Sequence, residues 1–184
     1  MDKYKEERRY IMICYWDNLP SKIGLIHLAA TDEGLVYCGS PRERGMDMYA
    51  WISRYLSEYT VEEGSNAILN EAKSQLSAYL SGESKVLDVP LHIIGTEFRK
   101  KVWEALGTIP FGETRTYGQI ATQIGNPKAS RAVGQANNKN PISYFVPWHR
   151  VIGAGGALVG FGGGLAVKSW LLNLEGIEHD YEGE

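Results

Sequence analysis

Apolar positions in the first forty residues fall into three short runs rich in β-branched and aromatic side chains, at 11–16, 24–30 and 35–38. Polar, turn-forming stretches separate them, Asp17-Asn18-Leu19-Pro20-Ser21 and Thr31-Asp32-Glu33-Gly34. Short β-rich runs punctuated this way predict an antiparallel meander with hairpin-like connections. The period then changes. Met48, Trp51, Ile52 and Tyr55 recur three and four residues apart, and so do Ile68, Ala72, Leu76 and Leu80, which predicts two amphipathic helices. Ser81-Gly82-Glu83-Ser84 ends the second helix and 87–91 reads as an extended connection, so a domain boundary is expected near residue 90, dividing 1–90 from 91–176.

In the second half Thr96 is placed to cap a helix whose apolar stripe is Phe98, Val102, Ala105 and Leu106, closed by Ile109-Pro110. Phe111-Gly112-Glu113-Thr114 is a turn. Residues 117–124 read as a short helix, Gly125-Asn126-Pro127 breaks it, and 128–138 read as another, a helix-turn-helix pattern. That pattern also occurs in proteins that never meet DNA, so by itself it leaves DNA binding open.

Composition sets the class. With 43% hydrophobic and 22% charged residues in 184, the chain has the make-up of a soluble globular protein. Residues 1–9 are densely charged, without the apolar core of a secretory signal, and no later stretch is long and apolar enough to span a bilayer, so a cytoplasmic protein with no membrane partner is expected. Cys14 and Cys38 read as reduced core residues, and with His27 and His92 they lack a zinc-ligand spacing, so no metal is expected. The net charge of −3 hides an asymmetry: 1–90 hold 10 Lys and Arg against 14 Asp and Glu, whereas 91–176 hold 9 against 4, before an acidic tail at 177–184. Any phosphate binding belongs to the second half, with Lys128, Lys139, Arg150 and Lys168 as general contributors and Arg150 open to a structural role instead.

A dense set of motifs fills 95–176: Val102-Trp103-Glu104-Ala105-Leu106, Ile109-Pro110-Phe111-Gly112-Glu113-Thr114, Tyr117-Gly118-Gln119-Ile120-Ala121, Ser130-Arg131-Ala132-Val133-Gly134, Asn140-Pro141, Pro147-Trp148-His149-Arg150-Val151-Ile152-Gly153 and Gly163-Gly164-Leu165-Ala166-Val167-Lys168. Through these the chain resembles the C-terminal domain of the O6-alkylguanine-DNA alkyltransferases; the first 90 residues resemble that family's N-terminal domain only in length and element order. The resemblance implies an α+β fold, a ribonuclease-H-like N-terminal domain with an antiparallel sheet and helices, then a helical winged-helix-type DNA-binding domain. It also implies a double-stranded DNA partner carrying O6-alkylguanine, a lesion flipped from the duplex and approached from the minor groove.

Family members pass the alkyl group to a cysteine between proline and histidine, and here that position is Trp148. An indole has one donor, no acceptor and no accessible anion near neutral pH, so it cannot serve as the nucleophile. The resemblance implies the other roles: Arg131 as the finger filling the gap left by the flipped base, Tyr117 as an aid to flipping, Asn140 as orienter of the loop, and His149 with Glu175 as the relay. Small residues at Ala129 and Gly134 let the helix approach a groove closely, and Phe161 and Gly163 belong to the loop facing the base. Phe161 and Gly162 depart from the family's usual tyrosine and serine. Each role has a plainer alternative: Trp148 as a core aromatic, His149 and Glu175 as a buried structural pair, Arg131 as a solvated helix residue, Tyr117 as a packing residue.

The combination is similar to the alkyltransferase-like proteins. It leads to the expectation of a monomeric, non-catalytic recogniser of O6-alkylguanine without cofactor, marking lesions for nucleotide excision repair proteins. Two other readings stay open, an active methyltransferase using another acceptor and a degenerate scaffold that has lost DNA binding. Cys38 is set aside as an acceptor here because it falls in the other half of the chain.

Overall fold

The computed structural model describes residues 11–39 and 47–179; the charged segment 1–9 and the end of the acidic tail, 180–184, lie outside the described residues. The first half is a four-stranded sheet in the order β3-β2-β1-β4. Strands β1 (Ile13–Ser21), β2 (Gly24–Ala30) and β3 (Leu35–Gly39) form the expected antiparallel meander. The sheet is not purely antiparallel, because β4 (Thr60–Glu63) lies parallel to β1. Its sequence, Thr-Val-Glu-Glu, is exposed throughout and has no apolar alternation, so nothing in the pattern marks it as a strand.

The stretch 17–21, expected to be a turn, belongs to β1. Asp17 pairs with Leu28 and Pro20 with Leu25, and the chain reverses at Lys22-Ile23 instead. A proline is tolerated there because β4 covers only Ile13 to Trp16 of β1, leaving the Pro20 end as a sheet edge.

Two helices flank the sheet. In α1 (Met48–Tyr55) the Asp47 carboxylate caps Ala50 N, and in α2 (Ala67–Ser81) the Asn66 side chain caps Leu69 N. Gly82, at φ 80°, closes α2 in the left-handed region. One sheet face packs Cys14, Ala29, Val36 and Tyr37 on Met48, Trp51 and Ile52 of α1. The other face, with Ile26, Leu28 and Ala30 of β2, meets Leu69, Leu76 and Tyr79 of α2.

In the second half Thr96 caps α3 (Glu97–Gly107), its side chain accepting from Arg99 N. Thr116 opens α4 (Tyr117–Gln123) with a reciprocal capping box to Gln119. The break and second helix follow as α5 (Ser130–Asn137), which packs on both α3 and α4. Two-residue strands β5 (Arg115–Thr116) and β6 (Val151–Ile152) pair in parallel, and α6 (Leu165–Leu174) follows a glycine-rich loop.

One cluster of buried side chains runs through both halves, joining Ile26, Leu28 and Tyr79 to Val102, Leu106, Trp148 and Phe161. The outer edge of β3 is covered by the second half as well. Leu35 O accepts from His92 N, Cys38 N donates to Pro141 O, and Cys38 O accepts from Ser143 N. Pairing an edge in this way blocks strand addition and fixes 141–143 against the sheet. The first half therefore holds the segment that leads into Trp148.

Candidate functional site

The site forms where 140–150, the glycine-rich loop and three helices meet. Asn140 is buried and shapes the incoming chain: its amide nitrogen donates to Val146 O at 3.0 Å and its amide oxygen accepts from Ile142 N at 2.9 Å. Pro147 then leads into a single 3-10 turn, Trp148–Arg150, whose three side chains are all buried.

Trp148 is 3% exposed. Its Nε1 donates to the Tyr117 hydroxyl at 3.2 Å, and that hydroxyl donates to Val159 O at 3.2 Å. The ring lies 5.5 Å from that of Phe161 at a 54° tilt. Gly160, at φ 57°, runs beneath both aromatics: a Cβ there would lie 3.3 Å from the Tyr117 hydroxyl and 3.5 Å from the indole. Burial raises the Tyr117 pKa, so the phenol is neutral and acts by hydrogen bonding. Lys168, fully buried, ties the same loop down by donating to Val151 O at 2.5 Å, Val159 O at 2.8 Å and Gly160 O at 2.9 Å. Burial pushes its pKa down to about 7, yet three carbonyl acceptors around one nitrogen are the surroundings of an ammonium, and the geometry is that of the cation.

Behind Trp148 lies a closed polar network. Glu175 accepts from His149 Nε2 at 2.8 Å, the Tyr79 hydroxyl at 2.6 Å, Arg150 Nη2 at 2.9 Å and Gly112 N at 2.9 Å. Arg150 Nη1 also donates to Ile109 O at 2.6 Å. Burial alone would raise the Glu175 pKa, but the bonds from His149, Arg150 and Tyr79 outweigh it and hold the carboxylate at about 2. Burial lowers the pKa of His149, and Arg150 already supplies the countercharge, so His149 is a neutral imidazole donating through Nε2. Its Nδ1 is buried without a partner, a base with a free lone pair.

The expected residues separate into two groups. Trp148, Tyr117, Phe161, Asn140, His149 and Glu175 converge, whereas Arg131 stands exposed on α5 and makes no hydrogen bond or ion pair among the described residues. Gly134 lies against the Tyr117 ring, where a Cβ would sit 3.7 Å from it, and Ala129 starts the helix. Gly163 packs on Phe161, a Cβ there meeting its ring at 3.2 Å. Arg150 and Lys168 are corrected as phosphate contacts, since both are buried with their donors spent inside the protein. Tyr79 is the member the sequence did not disclose. It sits among apolar positions of α2, where a lone phenol hydroxyl in a core stripe is the only signal. Among the described residues no three His, Cys, Asp or Glu side chains group to hold a metal, and no helix is long and apolar enough to cross a membrane.

An exposed arginine on α5 thus stands beside a buried Tyr-His-Glu-Arg network. Residues 97–177 match the family model described as 6-O-methylguanine DNA methyltransferase, DNA binding domain. A Methanosarcina acetivorans protein named methylated-DNA–protein-cysteine methyltransferase is 51% identical over 88% of this chain and 98% of its own length. A Mycobacterium leprae protein of the same name is 57% identical over 60% of this chain and 67% of its own. The crystal structure of Mycobacterium tuberculosis OGT in complex with DNA superposes with a TM-score of 0.75 at 43% identity, covering 88% of this chain and 92% of that one. The chain belongs to the 6-O-methylguanine DNA methyltransferase family.

This likeness overturns the expectation of a non-catalytic recogniser. The relative matched across 98% of its length is named a methyltransferase. The inference from Trp148 extended a true statement about one side chain to the whole protein. An indole disqualifies position 148 alone, and two thiols remain, Cys14 and Cys38. Cys38 lies in the first half, as expected, but in a strand whose backbone is bonded to 141–143.

Proposed function

We propose that this chain is a methylated-DNA–protein-cysteine methyltransferase whose acceptor thiol lies outside position 148. It binds duplex DNA through α4 and α5 in a winged-helix manner and rotates an O6-alkylguanine out of the stack. Arg131 fills the gap, and the base is received beside Trp148, Tyr117 and Phe161. The observation that carries this reading is the 51% identity to a protein of that name, which extends over 98% of that protein and so takes in both halves of the chain.

In the transfer a thiolate sulfur bonds to the alkyl carbon and the carbon–O6 bond breaks. Its electron pair returns to the guanine, which takes up one proton at N1. His149 Nδ1, backed by Glu175, is the base that receives the thiol proton. Cys38 is the thiol this reading names. Cys14 sits in the α1 cluster, where burial pushes its pKa up to about 11. Cys38 has no exposed surface, so transfer requires the bonds between β3 and 141–143 to open.

Intact mass spectrometry after incubation with O6-methylguanine duplex tests the reading. One added methylene per chain, mapped by peptide sequencing to Cys38 and absent in Cys38→Ser, is the expected result. A wild-type chain that keeps its mass while the DNA keeps its methyl group overturns it.

A further inference from the structure

Helix α5 has a second flank that the site around Trp148 does not use. Gly134 lies against the Tyr117 ring and marks the edge turned towards that site, while Ala132 and Ala136 border α3. Between α5 and the first turn of α3 runs an open groove of about 440 Å³, whose lining includes Phe98, Arg99, Gln135 and Lys139 beside the two alanines. Its walls are tied together, because Trp103 Nε1 of α3 donates to Ala136 O at 3.1 Å. The groove is cationic. No carboxylate lines it, Glu97 of the same turn pairs with Lys100 at 3.7 Å, and neither Arg99 nor Lys139 makes an ion pair among the described residues. Gln135 and Lys139 are exposed and Arg99 is half-buried, and Gln135 stands one helical turn beyond the exposed Arg131.

We propose that this groove holds the sugar-phosphate backbone of the strand opposite the lesion. The inference rests on the proposed entry of α5 into the duplex and adds which flank of the helix meets which strand. The minor groove is about 6 Å wide and a helix with its side chains about 10–12 Å across, so a helix laid on it is bordered by a backbone on each side. The base site at Tyr117 and Trp148 sets the Gly134 edge on the strand that gives up its base. The other edge then faces the opposite strand, and that is the edge where the groove lies. Charge selects the same occupant. Arg99 and Lys139 pair with the phosphates, Gln135 donates an amide hydrogen bond, and Phe98 with the alanines packs on the sugar. Contacts of this kind position a protein on a duplex without reading sequence, which suits a lesion lying in any context.

Fluorescence anisotropy on an O6-methylguanine duplex tests the placement, with the charged phosphates near the lesion replaced by neutral methylphosphonates in one strand or the other. Neutralising the opposite strand is expected to weaken binding by the wild-type chain about tenfold. The double variant Arg99→Gln, Lys139→Gln binds the fully charged duplex about tenfold more weakly than wild type, with a log–log salt slope shallower by about 2. It no longer responds to methylphosphonates in the opposite strand but still responds to those in the lesion strand. Neither side chain belongs to the core, so its melting temperature stays at the wild-type value. A double variant that binds the charged duplex like wild type, or that keeps its response to the opposite strand, overturns the placement. If the wild-type chain binds no duplex, the proposed function fails and the placement with it. If it binds the lesion duplex regardless of charge on the opposite strand, the placement alone fails.

Discussion

Replacing Glu175 by glutamine removes the charge on which the buried network closes while keeping the shape of the side chain. The carboxylate has no exposed side-chain surface, and the guanidinium of Arg150 beside it is 11% exposed. Losing one partner of such a pair leaves an uncompensated buried cation, at a cost of about 3–5 kcal/mol. The same interactions give stability a pH dependence. The Glu175 pKa falls from an ordinary 4.5 to about 2 on folding. At about 1.4 kcal/mol per pH unit, that shift is worth roughly 3 kcal/mol at neutral pH. Because the folded value is the lower one, this stability is fully present above pH 4.5 and is lost as the pH falls from there towards 2. Urea unfolding of wild type and Glu175→Gln at pH 7 and pH 3 separates this group from the other carboxylates. The variant should be about 3 kcal/mol less stable at pH 7, and the gap should shrink by roughly 2 kcal/mol at pH 3. A gap that is the same at both pH values would refute the argument.

Arg131→Ala should leave stability within about 0.5 kcal/mol, since the side chain is exposed and unbonded among the described residues, yet weaken lesion-duplex binding about tenfold or more by anisotropy. Lys168→Met strands the carbonyls of Val151, Val159 and Gly160 and should cost about 3 kcal/mol in denaturant unfolding; an unchanged midpoint would contradict the clamp. Trp148→Cys should cost about 3 kcal/mol through lost packing but place a thiol at the front of the His149–Glu175 pair, so the adduct should move to residue 148 in peptide maps.

The elements that repeat a period were legible in the sequence. Met48, Trp51 and Ile52 mark α1, Ala72 and Leu76 mark α2, and the Thr96 cap opens α3, because each reflects a local rule of spacing or capping. What stayed hidden depends on partners distant in sequence. Strand β4 exists because β1 offers it an edge, and 17–21 is strand because β2 pairs with it, even though its residues favour a turn. The site divides in the same way. Motifs marked Tyr117, Asn140, Trp148, His149 and Glu175, but Tyr79 reaches Glu175 across 96 residues and Cys38 touches 141–143 through backbone bonds that no side-chain pattern encodes. The functional misreading had the same origin, a single substitution taken as the state of the whole protein.

The central claim is that alkyl transfer occurs in this chain without a cysteine at position 148. The mass of the protein after exposure to O6-methylguanine duplex addresses it most directly. The account predicts stoichiometric gain of one methylene with matching loss from the DNA; an unmodified chain bound to intact lesion would contradict it.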